Sequence, residues 1–121
     1  MGVLQLKSLP AVPDEALDDW GAVAEPIDSA PARLRGRILA ENADGSEVGV
    51  WTCSPGRWRR QIRDAEMCYF TQGACTYTDE GGNVTEIRAG DMVYFPAMSL
   101  GVWEITEPVR KAYMTYKSVP A

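Results

Sequence analysis

Two stretches decide how this chain is read: Glu66-Met67-Cys68-Tyr69-Phe70-Thr71-Gln72-Gly73 and Gly90-Asp91-Met92-Val93-Tyr94-Phe95-Pro96. The first predicts a central strand closed by a turn glycine. The second starts at a turn, runs as a strand over Met92–Phe95 and stops at a proline, which has no ladder donor to offer. Between them lie a candidate strand Cys75–Thr78, the hairpin turn Asp79-Glu80-Gly81-Gly82-Asn83, a return strand Val84–Arg88 and the turn Ala89-Gly90-Asp91.

The same texture extends outward. Upstream, Leu34–Glu41 leads through Asn42-Ala43-Asp44-Gly45 into Glu47–Cys53. Ser54-Pro55-Gly56 follows, and then Trp58–Ile62 with large residues at alternate positions. Downstream come Val102–Ile105 and Lys111–Lys117. Short strands about ten residues apart, separated by Gly/Pro turns, imply an all-β sandwich or barrel. No segment of helical period competes.

Residues 1–32 differ. They carry Pro10, Pro13, Pro26 and Pro31 and few β-branched residues, which predicts an irregular N-terminal arm lying on a barrel formed by residues 33–121. Within the arm, Asp14–Trp20 is a candidate short helix, with Pro13 suited to its first turn and acidic residues near its start.

At 121 residues, 45% of them apolar, the chain is one domain's worth with one core. It has no histidine, which excludes Ser-His-Asp and Cys-His nucleophile systems and any histidine-ligated metal. Cys53, Cys68 and Cys75 form no C-x-x-C pair, so they read as buried, reduced thiols. With no long apolar run in Met1–Pro10, a cytoplasmic location is expected. A net charge of −5 argues against nucleic acid and membrane as partners. Arg57, Arg59, Arg60 and Arg63 are a local exception, suited to a polar strand edge or a small anion.

The segment Gly49–Lys117 resembles the cupin superfamily, whose RmlC-like jelly roll is a double-stranded β-helix barrel. Glu66, six residues and Gly73 reproduce the first cupin motif, with Pro55-Gly56 ahead of it. Gly90, five residues and Pro96 reproduce the second. Gly49–Gly56, Gly101-Val102-Trp103-Glu104 and Pro108–Tyr113 are similar to a narrower group, the (S)-ureidoglycine aminohydrolase cupin domain. The segment from Trp20-Gly21 to Pro26 looks like that group's N-terminal arm. The resemblance further implies a homodimer, paired through a sheet face or edge strand. Val3, Leu4 and Leu6 of the arm, which have no core of their own, are candidates to reach across.

The departures from that pattern carry the functional reading. The resemblance places the two ligand histidines of a metal cupin at Arg60 and Ile62 and the fourth ligand at Gly101, leaving only Glu66. Guanidinium, isoleucine and glycine offer no lone pairs to Mn, Fe, Ni or Zn. No metal and no other cofactor is therefore expected.

Strand alternation turns Trp58, Arg60, Ile62, Glu66, Cys68, Phe70, Cys75, Tyr77, Gly101 and Trp103 inward. Trp58, Arg60, Ile62, Glu66, Cys68, Tyr77 and Trp103 are the candidate ligand-binding residues, and Glu66 is the candidate catalytic one. Arg60 and Glu66 are expected to meet across the mouth, either as a structural ion pair or as a clamp for a ligand carboxylate. Lys111 is expected to pair with a carboxylate such as Glu104 or Glu107.

The favoured function is a metal-free binding module for a small polar or anionic metabolite. The first alternative is an aminohydrolase-like or isomerase-like enzyme of nitrogen or carbohydrate metabolism using Glu66 as general base. The second is a structural or interaction protein whose pocket is filled by its own side chains.

Overall fold

The computed structural model describes residues 2–118. Eight antiparallel strands follow in order: β1 Asp18–Ala22, β2 Arg33–Glu41, β3 Glu47–Cys53, β4 Gly56–Ile62, β5 Ala65–Asp79, β6 Val84–Arg88, β7 Met92–Phe95 and β8 Ser99–Tyr116. The all-β jelly-roll expectation holds. No helix among the described residues is long and apolar enough to cross a membrane.

The topology turns on two long strands. β5 and β8 pair along nearly their whole lengths, from Ala65 opposite Tyr116 to Asp79 opposite Gly101. The first half of β5 also pairs with β7, and its second half with β6. Likewise β8 pairs with β4 through Ser99–Ile105 and with β3 through Val109–Thr115. Register shifts between Phe70 and Cys75 mark the bend where both strands pass from one sheet to the other. Gly73 sits at that bend with φ 89°, and a Cβ there would strike the Pro108 carbonyl.

Two pairs of expected strands are thus single bent strands. Cys75–Thr78 continues Glu66–Gln72, and Lys111–Lys117 continues Val102–Ile105. Gly73 reads as a turn that closes its strand, but it lies at a bend carried by bulges. The strands Glu47–Cys53, Val84–Arg88 and Met92–Phe95 lie where expected. So do the turns: Gly45 N–H donates to Asn42 O, and Asp79 N–H to Asn83 O, each at 3.0 Å.

The arm is less irregular than expected. The candidate helix Asp14–Trp20 is only a 3-10 turn, Asp14–Ala16, and from Asp18 the chain is strand β1 on the edge of β2. Seven residues are too few to sustain a helix alone, and pairing with β2 satisfies the backbone instead. Arg110 explains how the arm is held. Its guanidinium, 1% exposed, donates to Leu9 O (2.8 Å), Val12 O (2.5 Å), Asp14 Oδ1 (2.7 Å) and Thr52 Oγ1 (3.1 Å). A buried guanidinium needs its donors satisfied, and the arm's carbonyls supply the acceptors.

The core between the sheets is largely aromatic. Trp103 is at its centre, with ring centroids of Tyr77, Phe95, Trp51, Trp58 and Phe70 5.1–6.4 Å away. Trp51 on β3 and Trp58 on β4 are 6.3 Å apart, although their strands pair with opposite halves of β8. That contact closes the two sheets over each other.

Candidate functional site

At one end of this core the aromatic filling gives way to charge. Trp20, Glu47, Trp51, Arg60, Glu66, Lys111, Tyr113 and Thr115 line a pocket of about 140 Å³. Register explains the gathering. Trp51 faces Lys111 across β3 and β8, Glu66 faces Thr115 across β5 and β8, and Glu47 faces Thr115 from the other side. Period-2 alternation then puts Lys111, Tyr113 and Thr115 on one inward face.

Lys111 donates from Nζ to Glu66 Oε2, and both side chains are buried, at 2% and 3% exposure. The ammonium also lies over rings, 4.5 Å from the centroid of Trp51, 5.5 Å from Trp103 and 5.9 Å from Phe95. Ring faces stabilise a cation that has lost its water. This corrects two expectations at once. The ion-pair partner of Glu66 is Lys111 and not Arg60. The partner of Lys111 is Glu66 and not Glu104 or Glu107, which are exposed. The bends in β5 and β8 cause the difference, since they carry Lys111 into the half of the barrel that holds Glu66.

Arg60 is half-buried on the wall of the same pocket, its guanidinium 5.9 Å from the Trp58 centroid. It has no carboxylate partner among the described residues. Glu47 is engaged, accepting a 2.7 Å hydrogen bond from Tyr113 OH. Burial pushes the Tyr113 phenol up, and the bond to Glu47 adds to this. The phenol fits only because residue 49 is glycine: a Cβ there would lie 2.7 Å from the hydroxyl.

A second cavity of about 430 Å³ shares Trp20, Trp51 and Arg60 with the first and adds Ala24, Glu25, Leu34, Trp58, Arg59, Gln61 and Arg63. Trp20, carried by β1, stands in both walls. Its ring lies where a side chain of residue 36 would be, a place open only because Gly36 has none. Around the two cavities four cations (Arg59, Arg60, Arg63, Lys111) face three carboxylates (Glu25, Glu47, Glu66). This local excess is positive in a chain of net charge −5.

The other expected ligand residues lie elsewhere. Ile62, Cys68 and Trp103 are buried in the core and do not line this pocket, although the Trp103 ring backs the Lys111 ammonium, while Trp58, almost fully buried, touches the larger cavity. Tyr77 lies against Gly101, where a Cβ would meet the phenol oxygen at 2.7 Å. That phenol and the indole nitrogens of Trp51, Trp58 and Trp103 are buried without partners among the described residues. Cys53, Cys68 and Cys75 are buried free thiols, each pushed up to about 12 by burial, which suits packing and not nucleophilic attack. Cys68 and Cys75 share the one long strand β5.

Half of the barrel is thus filled by rings, and half holds a polar pocket. Six of its eight lining residues were not among the expected site residues: Trp20, Glu47, Trp51, Lys111, Tyr113 and Thr115. Alternation along β8 was the one available signal for Lys111 and Tyr113. The donor set does not fit a metal. Lys111 engages Glu66, the neighbouring Arg60 is a cation, and no group of three or more Asp, Glu or Cys side chains gathers among the described residues.

Residues 40–113 match the family model of the EutQ-like cupin domain. Among solved structures, a protein of unknown function of the DUF861 family from Pseudomonas syringae matches with TM-score 0.74 and 23% identity. That match covers 82% of this chain and 43% of the other, so this chain spans less than half the length of that relative. The Clostridium difficile EutQ protein matches with TM-score 0.67 and 15% identity, over 91% of this chain and 84% of that one. A DUF861 protein from Thermotoga maritima is 33% identical, with TM-score 0.52, over 53% of this chain and 73% of its own. None of the curated proteins matches this chain.

Proposed function

This chain belongs to the EutQ-like cupin domain family, and from that premise we propose that it binds a small anionic metabolite in the charged half of its barrel without a metal. One observation carries this reading. Arg60, a cation without a carboxylate partner among the described residues, stands on the common wall of the pocket and the larger cavity, beside a Lys111–Glu66 pair that already neutralises itself. An acid group facing Arg60 gains a charge-assisted hydrogen bond, with Trp20 and Trp51 covering its apolar part. A pocket of about 140 Å³ is about five times a water's share of liquid volume, which suits a head group of a few atoms. The larger cavity beside it has room for a tail.

The test is thermal denaturation with acetate, pyruvate and their neutral amides. Carboxylates should raise the melting temperature, their amides should not, and Arg60→Ala should abolish the rise. Equal shifts from acids and amides would refute the anionic reading. The enzyme alternative, an aminohydrolase-like or isomerase-like cupin in which Glu66 as general base takes a proton directly from substrate, has less support, because Lys111 stands in contact with that carboxylate.

A homodimer belongs to the same proposal. On the outer face of the β3–β8–β5–β7 sheet, Met67 registers with Tyr94 and Met114, and Tyr69 with Met92. Met92 is 69% exposed and Tyr94 53%, with Tyr69 and Ile38 also open. An apolar sheet face of this kind suits a second copy of the chain. The three buried thiols suit a reducing cytoplasm.

A further inference from the structure

We infer that Lys111 is an amine nucleophile that condenses with the carbonyl of a short 2-oxo acid held in this pocket. The inference rests on the anionic reading, because Arg60 is the group that would orient the acid's carboxylate. Three observations carry it. Lys111 is the buried one of three lysines, and Lys7 and Lys117 are elsewhere. Although its side chain is only 2% exposed, it is one of the residues that line the small pocket. It is hydrogen-bonded to a buried carboxylate, and Trp51 and Trp103 flank it. A carboxylate in hydrogen-bond contact is a base placed to take the proton that an amine must lose before it attacks a carbonyl.

The proton accounting closes with the groups present. A proton of the ammonium passes along the existing hydrogen bond to Glu66 Oε2. The freed nitrogen lone pair attacks the carbonyl carbon, the C=O π pair moves to oxygen, and that oxygen takes the proton from Glu66. A second N–H proton then passes to Glu66 and on to the new hydroxyl. This departs as water while the nitrogen pair forms the C=N bond. Of the three ammonium hydrogens, two leave in the water and one stays on the iminium nitrogen. Nothing is oxidised or reduced.

The product suits the site as well as the starting ammonium does. The iminium is again a cation, so it keeps Glu66 as counter-ion and Trp51 as ring partner. The carboxylate of the oxo acid, next to the new C=N bond, falls to Arg60 on the pocket wall.

The probe is pyruvate with sodium borohydride, read by intact mass and peptide mapping, with the pyruvate melting shift measured in parallel. One reduced adduct is expected at Lys111, about tenfold or more above Lys7 and Lys117, a margin well within what proximity supplies. Lys111→Arg keeps a cation beside Glu66 but should give no adduct at position 111. Should that variant fail to fold, the wild-type map decides by itself. Adducts confined to Lys7, Lys117 and the N-terminal amine would overturn the inference. If pyruvate still raised the melting temperature in that case, the anionic reading would stand alone. If it raised nothing, both would fall. Arg60→Ala should lose the pyruvate adduct while propionaldehyde, which needs no clamp, still labels Lys111.

Discussion

The ammonium of Lys111 and the carboxylate of Glu66 form an ion pair inside the barrel, with both side chains almost wholly removed from water. Such a pair gains Coulomb energy only against a large desolvation cost, so breaking it from one side is worse than removing it whole. Lys111→Met alone and Glu66→Leu alone should each lower stability by on the order of 3 kcal/mol, and the double replacement should recover much of that. Arg60→Ala, at a half-exposed position without a carboxylate partner, should change stability by less than about 1 kcal/mol. Urea unfolding of the wild type and these four variants measures this. Additive losses in the cycle would show that the pair is not coupled.

Arg110 gives the N-terminal arm its attachment. Arg110→Met leaves the carbonyls of Leu9 and Val12 and the carboxylate of Asp14 without their donor. The cost should be about 2–3 kcal/mol, in line with charge-assisted bonds at a buried site. Hydrogen exchange should speed up in residues 9–22 while β5 and β8 stay protected. Unchanged exchange in the arm would mean that β1 pairing alone holds it.

The buried thiols predict an alkaline limit to stability. Burial pushes Cys53, Cys68 and Cys75 from 9.0 up to about 12. Above pH 9 the unfolded chain releases thiol protons that the folded chain retains, so the unfolded state binds fewer protons and stability falls as pH rises. The contribution is intact below pH 9 and is lost progressively toward pH 12. Urea melts at pH 7, 9 and 10.5 should show a plateau and then a decline. A disulfide-exchange reagent at pH 8 should label none of the thiols until denaturant is added; rapid labelling of the folded protein would contradict the burial argument.

The apolar sheet face should hold a second copy. Light scattering at micromolar concentration should give twice the chain mass, and Tyr94→Lys with Met92→Lys should give a folded monomer. Removing residues 1–7, where Val3 and Leu4 are exposed, separates the two routes to a dimer. A dimer that survives this truncation but not the lysine pair pairs through the sheet. The reverse pattern would assign pairing to the arm.

The local chemistry of this chain was legible where a single strand or turn decides it. Alternation placed Trp58, Ile62, Glu66, Cys68, Phe70, Cys75, Tyr77 and Trp103 inward, and all are buried. Turn residues placed the Asp79–Asn83 hairpin, where the Asp79 carboxylate accepts from Asn83 N–H at 2.9 Å and is held below its usual range by that bond. Position 101 was legible as a non-ligand, but not as the place that a tyrosine ring fills.

By itself the sequence determined the all-β class, the hairpin turns and most extended segments from Leu34 onward, the inward face and the absence of histidine chemistry. Each is a property of neighbours in the chain: side-chain period, turn conformation and residue type. Only the tertiary structure decided that Lys111, not Arg60, meets Glu66, that Arg110 anchors the arm, and that β1 is a strand where a helix was expected. Those outcomes depend on where β5 and β8 bend, and on which strand the arm finds. The bends come from bulges whose register shift moves every later side chain relative to its cross-strand partner. Local sequence sets the period along a strand, but the tertiary fold brings together side chains 45 or 96 residues apart and so sets which charges become neighbours.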